Sequence, residues 1–179
     1  MLAMRIALLL LLGIAFPAKA DESLWKLLKD GSQVVLIRHA VTTPGVGDPP
    51  GFKLEDCATQ RNLTEEGRAH ARRIGAAFRK RGIPVGRVLS SPWCRCIETA
   101  RLAFGKSQND DSLSNLFGRA ENRDRQIQEM KKLLRKEKGN LVLVSHGSTI
   151  VALTGESPAP GEMVIVTPPG TVRGRLLLE

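Results

Sequence analysis

Val34-Val35-Leu36-Ile37-Arg38-His39-Ala40 is the stretch whose reading decides the fold. Four consecutive apolar residues, two of them valines, read as a short strand buried on both faces, as in a parallel sheet covered by helices. An arginine and a histidine follow at its carboxyl end. Open α/β sheets place their sites just beyond the carboxyl ends of their strands. Arg38 carries a permanent charge on a forked donor set suited to phosphate. His39 can act near neutral pH as a nucleophile or a general base. A second stretch, Leu141-Val142-Leu143-Val144-Ser145-His146-Gly147, repeats the design. Two buried strands thus deliver two histidines and an arginine to one sheet edge.

Outward from the first strand, residues 41–60 are rich in glycine and proline and read as a long loop beside the site. Thr64 is the expected N-cap of a helix that carries Glu65 and Glu66 in its first turn and ends by Gly82. His70 falls one residue off that helix's apolar stripe and reads as a surface or boundary histidine. Val85–Ser90 reads as a second strand, Ser91-Pro92 as a turn, and Trp93 to about Phe104 as a helix. Arg95 stands in the first turn of that helix, where free backbone N–H groups also favour an anion. Residues 105–122 are polar and irregular. A basic amphipathic helix over Arg123–Lys138 precedes the strand at 141–144, and a short helical turn over Ser148–Leu153 comes after it. Strands at Glu162–Thr167 and Arg175–Leu178 close the chain. Strands alternating with helices predict a three-layer α/β domain, a mostly parallel sheet with helices on both faces.

Upstream, Asp21–Asp30 reads as a short helix capped by Ser23 and ended by Gly31. Residues 1–20 have one early positive charge, Arg5, an apolar run from Ile6 to Phe16, and Pro17-Ala18-Lys19-Ala20 at the end. This is the pattern of a secretory signal peptide cut before Asp21. The run is short for a membrane span of ~20 residues, which favours cleavage over a retained anchor. The expected organisation is residues 1–20 as signal peptide, residues 21–179 as one domain, and a periplasmic or secreted location.

The full chain has 27 lysines and arginines against 18 acidic residues, a net charge of +9. Such a balance suits an anionic substrate. No interleaving of aromatic and basic residues appears, and tyrosine is absent, so nucleic acid is not an expected partner. Of Cys57, Cys94 and Cys96, one disulfide is expected after export, from Cys57 to either Cys94 or Cys96. A Cys-x-Cys with one distant cysteine lacks a fourth ligand at suitable spacing, so no metal site is expected.

These residues resemble the histidine phosphatase superfamily, the fold shared by phosphoglycerate mutases and many phosphatases. Its Arg-His-Gly signature stands here as Arg38-His39-Ala40, and its following threonine as Thr42. Asn62-Leu63-Thr64-Glu65-Glu66-Gly67 is similar to the family's Leu-Thr-x-x-Gly helix start. Ser90-Ser91-Pro92-Trp93-Cys94-Arg95-Cys96-Ile97-Glu98-Thr99-Ala100 is similar to its block with the second phosphate-binding arginine. Val144-Ser145-His146-Gly147 matches the block with the second histidine. The resemblance implies a metal-independent, cofactor-free phosphatase. Arg38, Arg95 and His146 would bind the phosphoryl oxygens, His39 would form a phosphohistidine, and Thr42 would contact substrate. The short exported form is similar to periplasmic members acting on heptose phosphates of the lipopolysaccharide core. A small phosphorylated substrate, such as a cell-envelope sugar phosphate, is therefore the expected partner, with no stable membrane anchor after cleavage.

Two departures matter. Ala40 replaces the signature glycine. The glutamate that protonates the leaving oxygen in many members has no clear counterpart; Asp110 or Asp111 occupies that part of the chain, with Asp111 the candidate acid. Asp48, Glu55 and Asp56 lie on the long loop, and each reads first as a solvated side chain. The insertion that shapes the pocket in mutases is reduced to residues 105–122, and export argues against a mutase. The main alternative is a catalytically weak phosphate-binding module on the same fold. A redox or metal protein built on the three cysteines is a further one.

Overall fold

The computed structural model describes residues 18–178. The chain runs α1 (Ala18–Asp30), β1 (Val34–Arg38), α2 (Glu65–Lys80), β2 (Val85–Ser90), α3 (Cys94–Phe104) and β3 (Gln108–Asn109). It continues α4 (Arg123–Leu133), β4 (Asn140–Ser145), α5 (Gly147–Thr154), β5 (Met163–Thr167) and β6 (Thr171–Leu176). One six-stranded sheet has the order β3-β2-β4-β1-β5-β6. Neighbouring strands from β3 to β1 pair in parallel, and β5 alone runs against the rest.

Strand pleating divides the core into two layers. Val35 and Ile37 of β1, with Val142 and Val144 of β4, face Leu28 of α1, Phe78 of α2 and Ala100 of α3. Val34, Leu36, Leu141 and Leu143 face the other way, onto Met130 of α4 and Ile150 of α5. Helices on both faces explain why β1 and β4 are continuous apolar runs instead of alternating ones.

Several elements differ from the sequence reading. Helix α1 begins at Ala18, so Ser23 lies inside it and does not cap it, and the expected cleavage point before Asp21 falls in its first turn. The rest of the expected signal segment, residues 1–17, lies outside the described residues. Among the described residues no helix is long and apolar enough to cross a membrane. Helix α4 stops at Leu133 because Leu134 leaves helical geometry and tucks into the core. Strand β6 starts at Thr171, earlier than expected, because its pairing with β5 carries a polar, alternately exposed stretch. His70, expected at the surface or its boundary, is buried: the turn at Gly161 sits on its imidazole, whose pKa burial lowers.

Candidate active site

Register brings the two histidines together. In the parallel β1–β4 pair Arg38 lies opposite Ser145, so the next residues, His39 and His146, leave the sheet side by side. Their rings meet edge to face, centroids 5.4 Å apart. On the far side of β4, Ser90 of β2 lies opposite Val144, and the turn beyond it starts α3 with Arg95. These strand ends form the floor of a cavity of about 370 Å³, lined by Arg38, His39, Arg61, Arg95 and His146. That volume lies at the small end of ligand sites, which run from about 300 to 1,000 Å³.

His39 is held in one tautomer. Its Nδ1 lies 2.9 Å from the carbonyl oxygen of Ala40, which can only accept, so Nδ1 carries the proton and Nε2 keeps its lone pair. Burial, with the nearby charges of Arg95, Arg38 and Arg61, pushes its pKa down to about 3, against a favourable contribution from the Ala40 carbonyl. The ring is therefore neutral at physiological pH. Ala40, in the place of the signature glycine, fits without strain. Its methyl packs with Leu63 and Ala71, and its N–H donates to Thr99 Oγ1 at 3.1 Å. Thr99 in turn donates to the carbonyl of Arg95, tying the nucleophile's flank to α3.

His146 is also neutral: burial first, then the neighbouring His39 and the arginines, lower its pKa well below the usual range. Its Nε2 lies 2.8 Å from Ser91 Oγ, and its ring stacks edge-on against Trp93. Next to it, α5 opens at Gly147, whose lack of a side chain lets the Arg38 guanidinium lie across the helix start. A Cβ there would stand 3.3 Å from Arg38 Nε. Arg38 Nη1 is fixed on the carbonyl of Pro158 at 3.0 Å.

The arginines are the distinctive feature. Arg95 is 1% exposed. Its Nη1 and Nη2 donate to the two oxygens of Asp48 at 2.7 and 3.2 Å, a bidentate pair. Asp48 also accepts from the Arg61 amide at 3.1 Å and from Trp93 Nε1 at 3.0 Å. Burial alone would raise the carboxyl's pKa. The hydrogen bonds from Arg95, Arg61 and Trp93 and the charge of Arg95 outweigh it and hold Asp48 ionised. Arg61 Nη1 donates to Gly45 O at 2.7 Å. Three Nε–H groups, those of Arg38, Arg61 and Arg95, are buried without a protein partner. Orphaned buried cationic donors are costly unless something accepts from them, and an anion in the cavity would do so. The first turn of α5, with Gly147 and Ser148 lining the cavity, adds the positive end of a helix dipole.

Of the residues singled out from sequence, Arg38, His39, Arg95 and His146 converge on the cavity. Two do not. Thr42 makes a backbone bridge to Leu63 and is not among the cavity-lining residues. Asp111 is exposed in a separate depression with Arg119, Arg125 and Glu129. The reason is local: Asp110 caps a 3₁₀ turn by accepting from the amide and hydroxyl of Ser112, which turns Asp111 outward. Asp111 therefore lies outside the cavity that holds the histidines. Glu98 pairs with Arg68 at 2.7 Å, away from the histidines. Among the described residues, none lining the cavity is a carboxylate.

Sequence reasoning missed Arg61 and misjudged Asp48 as solvated. The signal for Arg61 was available, since it stands just before the Asn62-Leu63-Thr64 helix start. The glycine of that block also has a packing reason: a Cβ on Gly67 would collide with the carbonyl of Val41, just after the strand that delivers His39. Cys57 and Cys94 form the disulfide, Cα atoms 5.7 Å apart, fixing the loop to the start of α3. Cys96 is a free, buried thiol whose pKa burial pushes up to about 12, so it carries no thiolate chemistry.

Comparison with known proteins accords with this geometry. A family model described as the histidine phosphatase superfamily (branch 1) matches residues 34–117. No curated protein matches the sequence significantly. Among solved structures, a phosphoglycerate mutase of Thermus thermophilus is similar, at 23% identity and TM-score 0.58, covering 82% of this chain and 99% of that one. The protein histidine phosphatase SixA, solved with tungstate, is similar at 18% identity and TM-score 0.57, covering 80% of this chain and 96% of that one. At these identities the likeness is one of fold.

Proposed function

We propose that this chain, whose residues 34–117 match the histidine phosphatase superfamily, is an exported phosphatase that hydrolyses a small phosphomonoester through a phosphohistidine on His39. The observation that carries this reading is a neutral His39, its Nδ1–H held by the Ala40 carbonyl, beside three arginines with unpartnered Nε–H groups. The three arginines bind and neutralise the phosphoryl oxygens through charge-assisted hydrogen bonds. In the tautomer whose Nε2 accepts from the Ser91 hydroxyl, His146 presents Nδ1–H to an oxygen as charge shifts in the transition state. His39 Nε2 attacks phosphorus, and the Ala40 carbonyl steadies the positive charge that develops on the ring. Water then displaces the imidazole and leaves dihydrogen phosphate. Export is supported by the charged, then apolar, then small-residue pattern of residues 1–20, and by a disulfide suited to an oxidising compartment.

A second reading has one observation in its favour. Asp48 takes both Nη groups of Arg95, which would suit a phosphate-binding module with little turnover. The two are separated by incubating the purified protein with a ³²P-labelled aryl phosphate, quenching in alkali, and locating acid-labile phosphate. Label on His39 that is absent from His39→Ala is the expected result. Phosphate binding without label or turnover would replace the phosphatase reading with the binding one.

A further inference from the structure

The floor of the cavity is charged, but its mouth is apolar. Five large hydrophobic side chains are exposed among the described residues, and three of them, Val46, Phe117 and Val151, line this single cavity. Val46 is 84% and Phe117 60% exposed. They come from three separate parts of the chain: the long loop, the segment before α4, and α5. A Cβ built on Gly47 would stand 4.0 Å from the Phe117 ring, so the loop and that ring form one wall. Single exposed apolar residues need no explanation, whereas a cluster rimmed by polar groups marks a binding surface.

The second observation concerns protons. The carboxylate bound to Arg95, that of Asp48, accepts four N–H hydrogen bonds on its two oxygens and has no proton to give. The cavity-lining residues include no carboxylate of their own. With no carboxylic acid lining the cavity, the site favours a leaving oxygen that can depart with its electron pair and without a proton. Alkoxides of sugars do this poorly, and phenolates do it well.

Resting on the phosphatase reading, we infer that the substrate is an aryl phosphate, its ring seated against Val46, Phe117 and Val151 and its phenolate leaving unprotonated. In the first step the His39 Nε2–phosphorus bond forms as the phosphorus–phenolate bond breaks, the electron pair staying on the phenolate oxygen. In the second, water oxygen bonds to phosphorus, the phosphorus–nitrogen pair returns to Nε2, and both water protons remain on the phosphate. A cavity of about 370 Å³ suits a phosphoryl group with one ring. A sugar would set hydroxyls against Val46, Phe117 and Val151, where they would lose water without gaining partners, and among the described residues only Asn115, Ser148 and Ser157 offer neutral polar side chains beside them.

The test compares kcat/KM of the purified protein for 4-nitrophenyl phosphate, phenyl phosphate, acetyl phosphate and a hexose 6-phosphate. Acetyl phosphate has a good leaving group but no ring, so it separates leaving-group acidity from apolar contact. The aryl phosphates should exceed the hexose phosphate by at least about a hundredfold, the amount that general-acid catalysis commonly supplies. 4-Nitrophenyl phosphate should outrun phenyl phosphate clearly. Phe117→Ala should cost 4-nitrophenyl phosphate about tenfold more than it costs acetyl phosphate, as expected for a lost apolar contact. Val46→Ala is the second variant, should the first fold poorly. Hexose phosphate turned over as fast as the aryl substrates would overturn the inference and leave the phosphatase reading intact. Equal losses on aryl and acetyl phosphate in both variants would do the same. No turnover and no His39 label with any of the four would overturn both.

Discussion

Replacing Asp48 by asparagine probes the arrangement most directly. In the native protein one carboxylate serves four donors: Arg95 Nη1, Arg95 Nη2, Trp93 Nε1 and the Arg61 amide. The Asp48 side chain is 4% exposed and that of Arg95 1%. Asparagine keeps the shape but offers one oxygen, and its NH₂ would face two donors. It also leaves Arg95 buried with no countercharge. Breaking a buried ion pair from one side costs about 3–5 kcal/mol, and because Arg95 lines the cavity, the lower end, about 3 kcal/mol, is expected. For a chain of this size each kcal/mol moves Tm by about 2–4 °C, so the variant should melt about 6–12 °C lower. Inorganic phosphate should restore at least half of that loss, because the vacated Nη groups of Arg95 can turn to the anion. Saturating phosphate at about a hundred times its Kd adds about 2.7 kcal/mol by mass action. The assay is calorimetric or fluorimetric melting of both proteins with and without phosphate at fixed ionic strength. A variant Tm within about 2 °C of the wild type would refute the reasoning, since the pair would then be solvated and energetically idle. The native carboxyl, held low, also predicts that this stability is complete above the unfolded aspartate's pKa of about 3.9 and is lost as pH falls through the folded value.

Two other outcomes rest on the same geometry. Arg61→Ala should weaken inorganic phosphate binding by about 10- to 100-fold, the worth of one hydrogen bond to a charged group; an unchanged Kd by calorimetry would remove Arg61 from the anion site. In the phosphate-free protein the His39 ring should stay neutral from pH 8 to pH 5, because its pKa is pushed down to about 3. Ring resonances that titrate near 6.5 would show that it is solvated. The unfolded chain takes up a proton below about 6.5 that the folded His39 refuses, so stability should fall as pH drops from there toward 3.

Much of the site was legible without coordinates because it is built from local signals. A buried strand announces itself by an unbroken apolar run, and the residues just past its end are found by counting. Val34–Ile37 and Leu141–Val144 therefore placed Arg38, His39 and His146 at strand ends, and the parallel register that sets Arg38 opposite Ser145 brings the histidines side by side. Thr64 as N-cap, and Arg95 in the first turn of its helix, were equally local, since capping and helix starts depend on a few adjacent residues.

The points left open by the sequence were decided by contacts between residues far apart in the chain. Asp48 is 47 residues from Arg95, and a loop rich in glycine and proline has no period from which to read where a side chain ends up. Burial next to a permanent charge turned a nominal surface aspartate into a fixed anion and removed it as a proton donor. The choice of Cys94 over Cys96 is likewise tertiary. Two residues along a helix turn the side chain by about 200°, which puts Cys96 into the core and leaves Cys94 facing the loop that carries Cys57. Thr42 and Asp111 likewise stand outside the cavity lining, one bridged through its backbone to Leu63 and the other turned outward by its neighbour's cap. Sequence by itself determined which residues stand at the strand ends, because periodicity and capping act over a few residues. Only the tertiary structure decided which charges are paired, because pairing depends on a distance in space that the order of residues along a loop does not encode.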